Sequence, residues 1–285
     1  MKRGMILAKA ENKRKIWLLG LSLIMVAFCG SAAFALDPMG PPAADLQAGQ
    51  LKAGVDYSKS TMDLELNEGI WVEYLDGIFL DVGEAVPFTL KDFKMNKAYF
   101  NFAYGAADNC EAFLRVGGTS ATFGDSIWED GERFDSNTDF AIGGGIKATF
   151  YEEDDLKIGG MLQVSWAEFD GKLKATHWAA SDFVGIDIAE TQIAIGATYR
   201  LTEHVSIYGG PFLHFISGEL EDTFSEIDAG GGLLTSEYSW NVEQESVFGS
   251  YIGTQIELTE EFSFNIEYQH TSASDAFGAG LKWRF

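Results

Sequence analysis

The chain ends in an unbroken two-residue alternation. Phe277, Ala279, Leu281, Trp283 and Phe285 fall on one face of an extended strand, and Ala276, Gly278, Gly280, Lys282 and Arg284 fall on the other. The first face is wholly apolar and finishes on two aromatics. In a soluble domain such a face needs a core to cover it, whereas a strand that faces lipid needs none.

The rest of the chain is compatible with strands and poor in alternatives. Beyond the N-terminus no apolar run approaches the roughly 18 residues of a spanning helix. Hydrophobic residues make up 46%, yet the mean hydropathy is only −0.02. Glycine is abundant at 32 and proline scarce at 5, as suits many strands joined by turns. The net charge of −23 argues against nucleic acid as a partner. Of two cysteines, Cys29 lies in the N-terminal apolar segment and Cys110 is alone in the remainder, which excludes a disulfide or a cysteine metal site in the folded part.

The N-terminus reads as an export signal. Lys13-Arg14-Lys15 precede an apolar run from Ile16 to Phe28, and Ala33-Phe34-Ala35 places small residues for cleavage after Ala35. Phe28 argues against lipid attachment at Cys29. Residues 1–35 are therefore expected to be a signal peptide; losing their six cations and one acid takes the charge from −23 to −28. Residues 36–47, with Pro38, Pro41 and Pro42, are expected to form a flexible periplasmic lead-in.

From Ala48 onward the period is two. Leu51, Ala53, Val55 and Tyr57 alternate with Lys52, Gly54, Asp56 and Ser58, and a slip near Ser60 would bring Met62, Leu64 and Leu66 onto the apolar face. Further strands centre on Phe100, Leu114, Ile146, Leu162, Ile195, Ile207, Ile252 and Phe264 before the terminal one. Short acidic or polar turns at 106–109, 152–155, 201–204 and 258–261 alternate with long stretches at 67–92, 120–138, 170–187 and 218–241, which read as loops. The first of these has room for two additional strands.

The ending resembles the last strand of bacterial outer-membrane β-barrels, which close on a terminal Phe read by the assembly machinery. Residues 48–285 resemble the small outer-membrane barrel superfamily that includes the opacity-type and OmpA-like barrels. The resemblance implies an all-β, closed antiparallel transmembrane barrel of about ten strands, with eight to twelve as bounds. Short turns would face the periplasm and long loops the exterior of a diderm, Gram-negative cell. Trp283 and Phe285 would carry the assembly signal, and outer-membrane lipids and the barrel-assembly machinery would be the partners.

With the apolar set facing lipid, the lumen would receive Lys52, Asp56, Glu111, Arg115, Lys147, Lys157, Arg200, Glu267, Lys282 and Arg284. These charges would pair with each other and with water. They give either a structural polar core or a narrow, porin-like aqueous path for small solutes or ions. Function is thus expected to be structural or surface-interacting, with the channel as the alternative and an outer-rim enzyme as a remote one. His214, Glu219 and Asp170 are the rim candidates, but no catalytic motif links them. No cofactor, catalytic or metal residue is assigned. Glu129, Asp130, Glu132 and Asp135 form an acidic loop without calcium-loop spacing, open at most to divalent cations.

Overall fold

A computed structural model describes residues 36–124, 133–174, 181–244 and 247–285. The signal peptide, its cleavage site, Cys29, Glu129, Asp130, Glu132 and His177 lie outside them. Among the described residues every regular element is a strand: β1 (Leu51–Leu75), β2 (Ile78–Ala85), β3 (Phe88–Ala107), β4 (Cys110–Gly124), β5 (Arg133–Ser136), β6 (Asp139–Glu153), β7 (Leu156–Lys174), β8 (Ser181–Thr202), β9 (Val205–Ile227), β10 (Leu233–Gln244), β11 (Phe248–Glu257), β12 (Phe262–Thr271) and β13 (Ser274–Arg284).

Ten of these close a ring in the order β1-β13-β12-β11-β9-β8-β7-β6-β4-β3 and back to β1, all antiparallel. At the seam Lys52 stands opposite Arg284, and the Phe285 N–H donates to the Leu51 carbonyl at 3.0 Å. The chain end therefore completes the ladder. Closure matters because lipid offers no partner to an open strand edge.

Outside this ring is an exposed apolar belt. Val55, Phe100, Phe102, Leu114, Ile146, Leu162, Val164, Ile193, Ile195, Ile252 and Leu281 all point outward and are exposed. Aromatics crowd its edges; near the turns, Phe262 stacks on Trp283 at 5.6 Å and Trp283 lies 4.5 Å from Phe285. This is a membrane-spanning β-barrel. The short turns fall at 108–109, 154–155, 203–204 and 258–261, as the sequence predicts.

The other end departs from expectation. The stretches read as long loops are mostly continued strand: β1 runs on to Leu75, β7 to Lys174, and β9 to Ile227. The first stretch holds one extra strand, β2, rather than two. Beyond the belt β10 inserts between β9 and β1, taking the place of β11, β12 and β13. β5 likewise takes the place of β6 between β4 and β7. The wall therefore narrows from ten strands to the eight of β1-β10-β9-β8-β7-β5-β4-β3. Eight strands enclose a space that side chains can fill.

They fill it with apolar residues. Met62, Leu64, Leu66, Leu90, Phe93, Met95, Phe123, Phe134, Phe169, Ile186, Ile188 and Val242 form a continuous dry core. No slip occurs at Ser60. Lys52, Asp56, Ser58, Ser60, Met62, Leu64 and Leu66 all point inward in one unbroken register against β13 and then β10. What changes is the polarity of each side. In the belt the outside is apolar and the inside polar; in this head the inside is apolar, and Glu65, Glu168, Asp187, Glu219 and Glu243 face water. The register shifts fall instead at Asp92 on β3 and Glu68 on β1, both with positive φ (55° and 51°).

Phe93 is the hub of the head, fully buried with Phe123 at 5.9 Å and Phe169 at 6.0 Å. Phe93→Ala should cost about 3–5 kcal/mol. Denaturant titration of the folded barrel checks this, and a loss under about 1 kcal/mol would mean that the head core is not close-packed.

Candidate functional site

In the barrel interior buried side chains of both charges converge, and the interior is occupied by the chain itself. Residues 36–46 are not an external lead-in. They pass inside the ring, and Leu36, Asp37, Met39, Ala43, Ala44 and Leu46 are all buried. From β1 the chain runs back past the mouth, where the Ala48 N–H donates to Asp108 at 3.1 Å, and up the lumen to Leu36. Two glycines make room. A Cβ on Gly105 would stand 1.9 Å from the Gln47 carbonyl oxygen, and one on Gly159 would stand 2.5 Å from the Ala43 Cα.

The wall satisfies this segment group by group, as buried backbone demands. Near the mouth Asp45 accepts from Lys52 at 3.2 Å and from Arg284 at 2.8 Å, while its N–H donates to Glu111 at 3.1 Å. Lys52 also pairs with Glu111 at 3.3 Å. Halfway up, Glu267 accepts the Met39 N–H at 2.9 Å and the Gly40 N–H at 2.7 Å. Lys147 donates to the carbonyls of Met39 (2.6 Å) and Pro41 (2.7 Å). Arg115 donates to the Pro38 carbonyl at 2.6 Å, with its guanidinium 5.0 Å from the Phe113 ring centre. At the inner end Gln269 and Gln163 donate to the Asp37 carbonyl at 2.8 and 3.3 Å.

Eight of the ten lumen residues expected from the alternation therefore line the interior, and six of them bond the inserted segment. Asp56 instead accepts from Asn101 at 2.6 Å, and Lys282 lies beside Gly40. Lys157 and Arg200 sit at the mouth, where Lys157 pairs with Glu152 at 2.9 Å. They line a recess of about 80 Å³ with Asp45 and Glu257. A cavity inside, beside Met39, Lys52 and Lys282, measures about 30 Å³. That holds a water or two.

One layer was not anticipated. Between the filled lumen and the apolar head lie Lys97, Glu190 and His214, all buried. Lys97 is paired with Glu190 and with Asp37 (3.1 Å), and Glu190 lies 3.2 Å from His214 Nε2. Lys97 shares the inward face of Tyr99 and Asn101, and Glu190 that of Gln192, so extending the alternation past the belt would have found both. His214 is thus a core residue, whereas Glu219 and Asp170 lie on the outer surface; the three rim candidates do not meet. His270 pairs with Asp275 at 2.7 Å. Asp135 sits on β5 and bonds Arg133 at 2.9 Å. Among the described residues no cluster of His, Cys, Asp and Glu is spaced to hold a metal ion. Trp283 and Phe285 remain exposed on the lipid side.

No family model and no curated protein matches the chain. Among solved structures it is similar to the translocator domain of the autotransporter NalP from Neisseria meningitidis (10% identity, 85% of this chain and 90% of that one, TM-score 0.43). It is also similar to the outer membrane protease OmpT from Escherichia coli (12%, 85% and 99%, 0.41). A third is the outer membrane protein OprG from Pseudomonas aeruginosa (11%, 84% and 97%, 0.42). The barrel described above stands on its own strand pairing.

On the head, just beyond the belt, desolvation and the neighbouring Asp187, Asp170 and Asp139 raise the Glu168 carboxyl above its usual range. Desolvation with Asp170 and Glu219 raises Asp187 in the same way. A carboxyl raised in the folded state binds protons more readily than when unfolded, so it stabilises at low pH and loses that contribution as pH rises. Glu168→Gln with Asp187→Asn should therefore melt higher than the native barrel at pH 7, with the gap closing towards pH 5. A gap that widens on acidification would contradict the repulsion. Lys97→Met, which strands Asp37 and Glu190, should cost about 3–5 kcal/mol in urea unfolding.

Proposed function

We propose that the protein is a non-conducting barrel of a bacterial outer membrane, exported by its leader, whose rigid acidic head works in surface interaction. The supporting observation is the double obstruction of the interior: the segment 36–46 fills the ten-stranded part and an apolar core fills the eight-stranded part. A hydrated path needs continuous polar space, and the head core leaves none.

The head offers contact surface instead. On the β1–β2 hairpin Ile70, Phe79 and Val82 are exposed beside Asp81 and Glu84. Apolar residues flanked by acids suit a partner with apolar and basic groups. Outer-membrane lipids would meet the belt, and the assembly machinery would read the final strand through Trp283 and Phe285. Divalent cations would be natural counter-ions for the acidic head. The narrow channel requires both obstructions to move, and a rim enzyme would need a cluster that His214, Glu219 and Asp170 do not make.

Planar-bilayer recording tests the reading. The inserted, folded protein should be electrically silent. Stepwise currents from the native barrel would overturn the proposal in favour of the channel. A variant lacking 36–46 should stay silent too, because the head core remains in place.

A further inference from the structure

Past the head core the sheet runs on to an open edge. β1 reaches Leu75, turns at Asp76-Gly77 (φ 49° and 79°) and returns as β2. A two-residue turn with both φ positive makes Leu75 and Ile78 a hydrogen-bonded pair. Bonded and unbonded pairs then alternate down the hairpin, with Leu80 as one extra residue between the pairs Tyr74–Phe79 and Glu73–Asp81. Phe79, Val82 and Glu84 therefore turn their N–H and C=O groups away from β1. The Val82 N–H agrees, since it donates to the exposed Asp81 carboxylate at 2.9 Å. β1 carries β10 on its other side, and no described strand pairs with the far edge of β2.

This edge is apolar and stands in water. Ile78 is 71% exposed, Phe79 56%, Leu80 48% and Val82 52%. From Met62, where the head core begins, to Leu75 is roughly 40 Å of strand, so the lipid around the belt does not cover them. A bare edge is a template for another strand, and many chains blunt it with Lys or Pro. β2 has neither and carries Asp81 and Glu84 instead. Residues 63–90 and 217–244, which hold β2 and its neighbours in this sheet, contain fourteen Asp and Glu and no Lys, Arg or His. A second copy would set these acids against their own kind, and anionic headgroups would be repelled in the same way. Within the hairpin Glu73 already stands directly opposite Asp81, a like-charge pair that an arriving cation would relieve.

We propose that β2 is a strand-addition site for an extended segment of a partner protein in which apolar side chains alternate with Lys or Arg. The proposal rests on the reading of the head as a contact surface and names the partner's chemistry. The backbone of the arriving segment takes the free N–H and C=O groups of Phe79, Val82 and Glu84. Its carbonyl replaces Asp81 at the Val82 N–H, which releases that carboxylate for a cation. The two faces sort the rest. Phe79 and Val82 share the face of Tyr74 and Val72 and extend it to the apolar side chains, while Asp81 and Glu73 on the other face meet the cations.

Fluorescence anisotropy tests this with the folded barrel in uncharged detergent and a labelled peptide of alternating Val and Lys. The peptide should bind about tenfold more tightly than its Val–Glu counterpart and weaken as salt is added. Val82→Pro removes an edge donor and leaves the β1 ladder intact, so it should weaken the Val–Lys peptide about tenfold. The same peptide with every backbone amide methylated should not bind. Binding that survives methylation would mean attraction by charge alone and would overturn strand addition. So would a dimer of the barrel that Val82→Pro dissolves while the peptide stays unbound, in favour of a second copy. Should Val82→Pro disrupt the hairpin, the methylated peptide decides alone. None of these readouts depends on conductance. Stepwise currents would overturn the non-conducting reading and leave this one standing, and a silent barrel that ignores the Val–Lys peptide would do the reverse.

Discussion

Every backbone N–H and C=O in the hydrocarbon layer needs a partner, and the molecule follows from how that demand is met. A ring of ten antiparallel strands meets it for the wall, and the last strand closes the seam along β1 from Met62 down to Lys52, with Phe285 bonded to Leu51 at its end. Closure creates a second demand. The interior face is rich in small residues such as Gly105, Gly159, Gly196 and Gly278, so a ring of this size is not filled by its own side chains. The chain fills it with residues 36–46, whose own backbone groups then need partners. Arg115, Lys147, Glu267 and Gln269 supply them.

Beyond the lipid the problem changes and the solution changes with it. Water outside rewards charge on the outward face, so Glu65, Asp187 and Glu219 replace Val55, Ile193 and Leu213. With two strands fewer, the interior is small enough for Phe93, Phe123, Phe134 and Phe169 to fill it. Along β1 the inward face runs through this boundary without a slip, and the β3 strand beside it takes up the one local shift, at Asp92. The same faces simply exchange polarity, because the solvent outside has been exchanged.

The charged layer between the two regimes has a different role from the core above it. Burying Lys97, Glu190, Asp37 and Arg115 costs desolvation that their mutual bonds offset at best, so the layer is weak evidence for stability. Its effect is on position. A shift of the inserted segment by one residue would take Asp37 from Lys97, Asp45 from Lys52 and Arg284, and two N–H groups from Glu267. The segment therefore has one register in the lumen.

Residues 51–285 by themselves determined the ten strands of the ring, the short turns, the closure of first strand on last and, Lys157 and Arg200 at the mouth apart, the inward set from Lys52 to Arg284. The reason is local: a period of two assigns each side chain to a face, and a terminal apolar face has few destinations. The same local rule failed where the solvent changed. Leu64, Leu66, Phe169 and Leu220 keep the alternation, but with charges on the outward face the stretches around them read as loops and the polarity change at Ser60 as a slip. Residues 36–47 carry no alternation at all, so nothing local distinguishes a tether outside the barrel from a strap inside it. Only the closed ring decided that, because it alone creates the space and brings Lys97, Arg115, Lys147, Glu267 and Gln269, up to 172 residues apart, around one short stretch of chain.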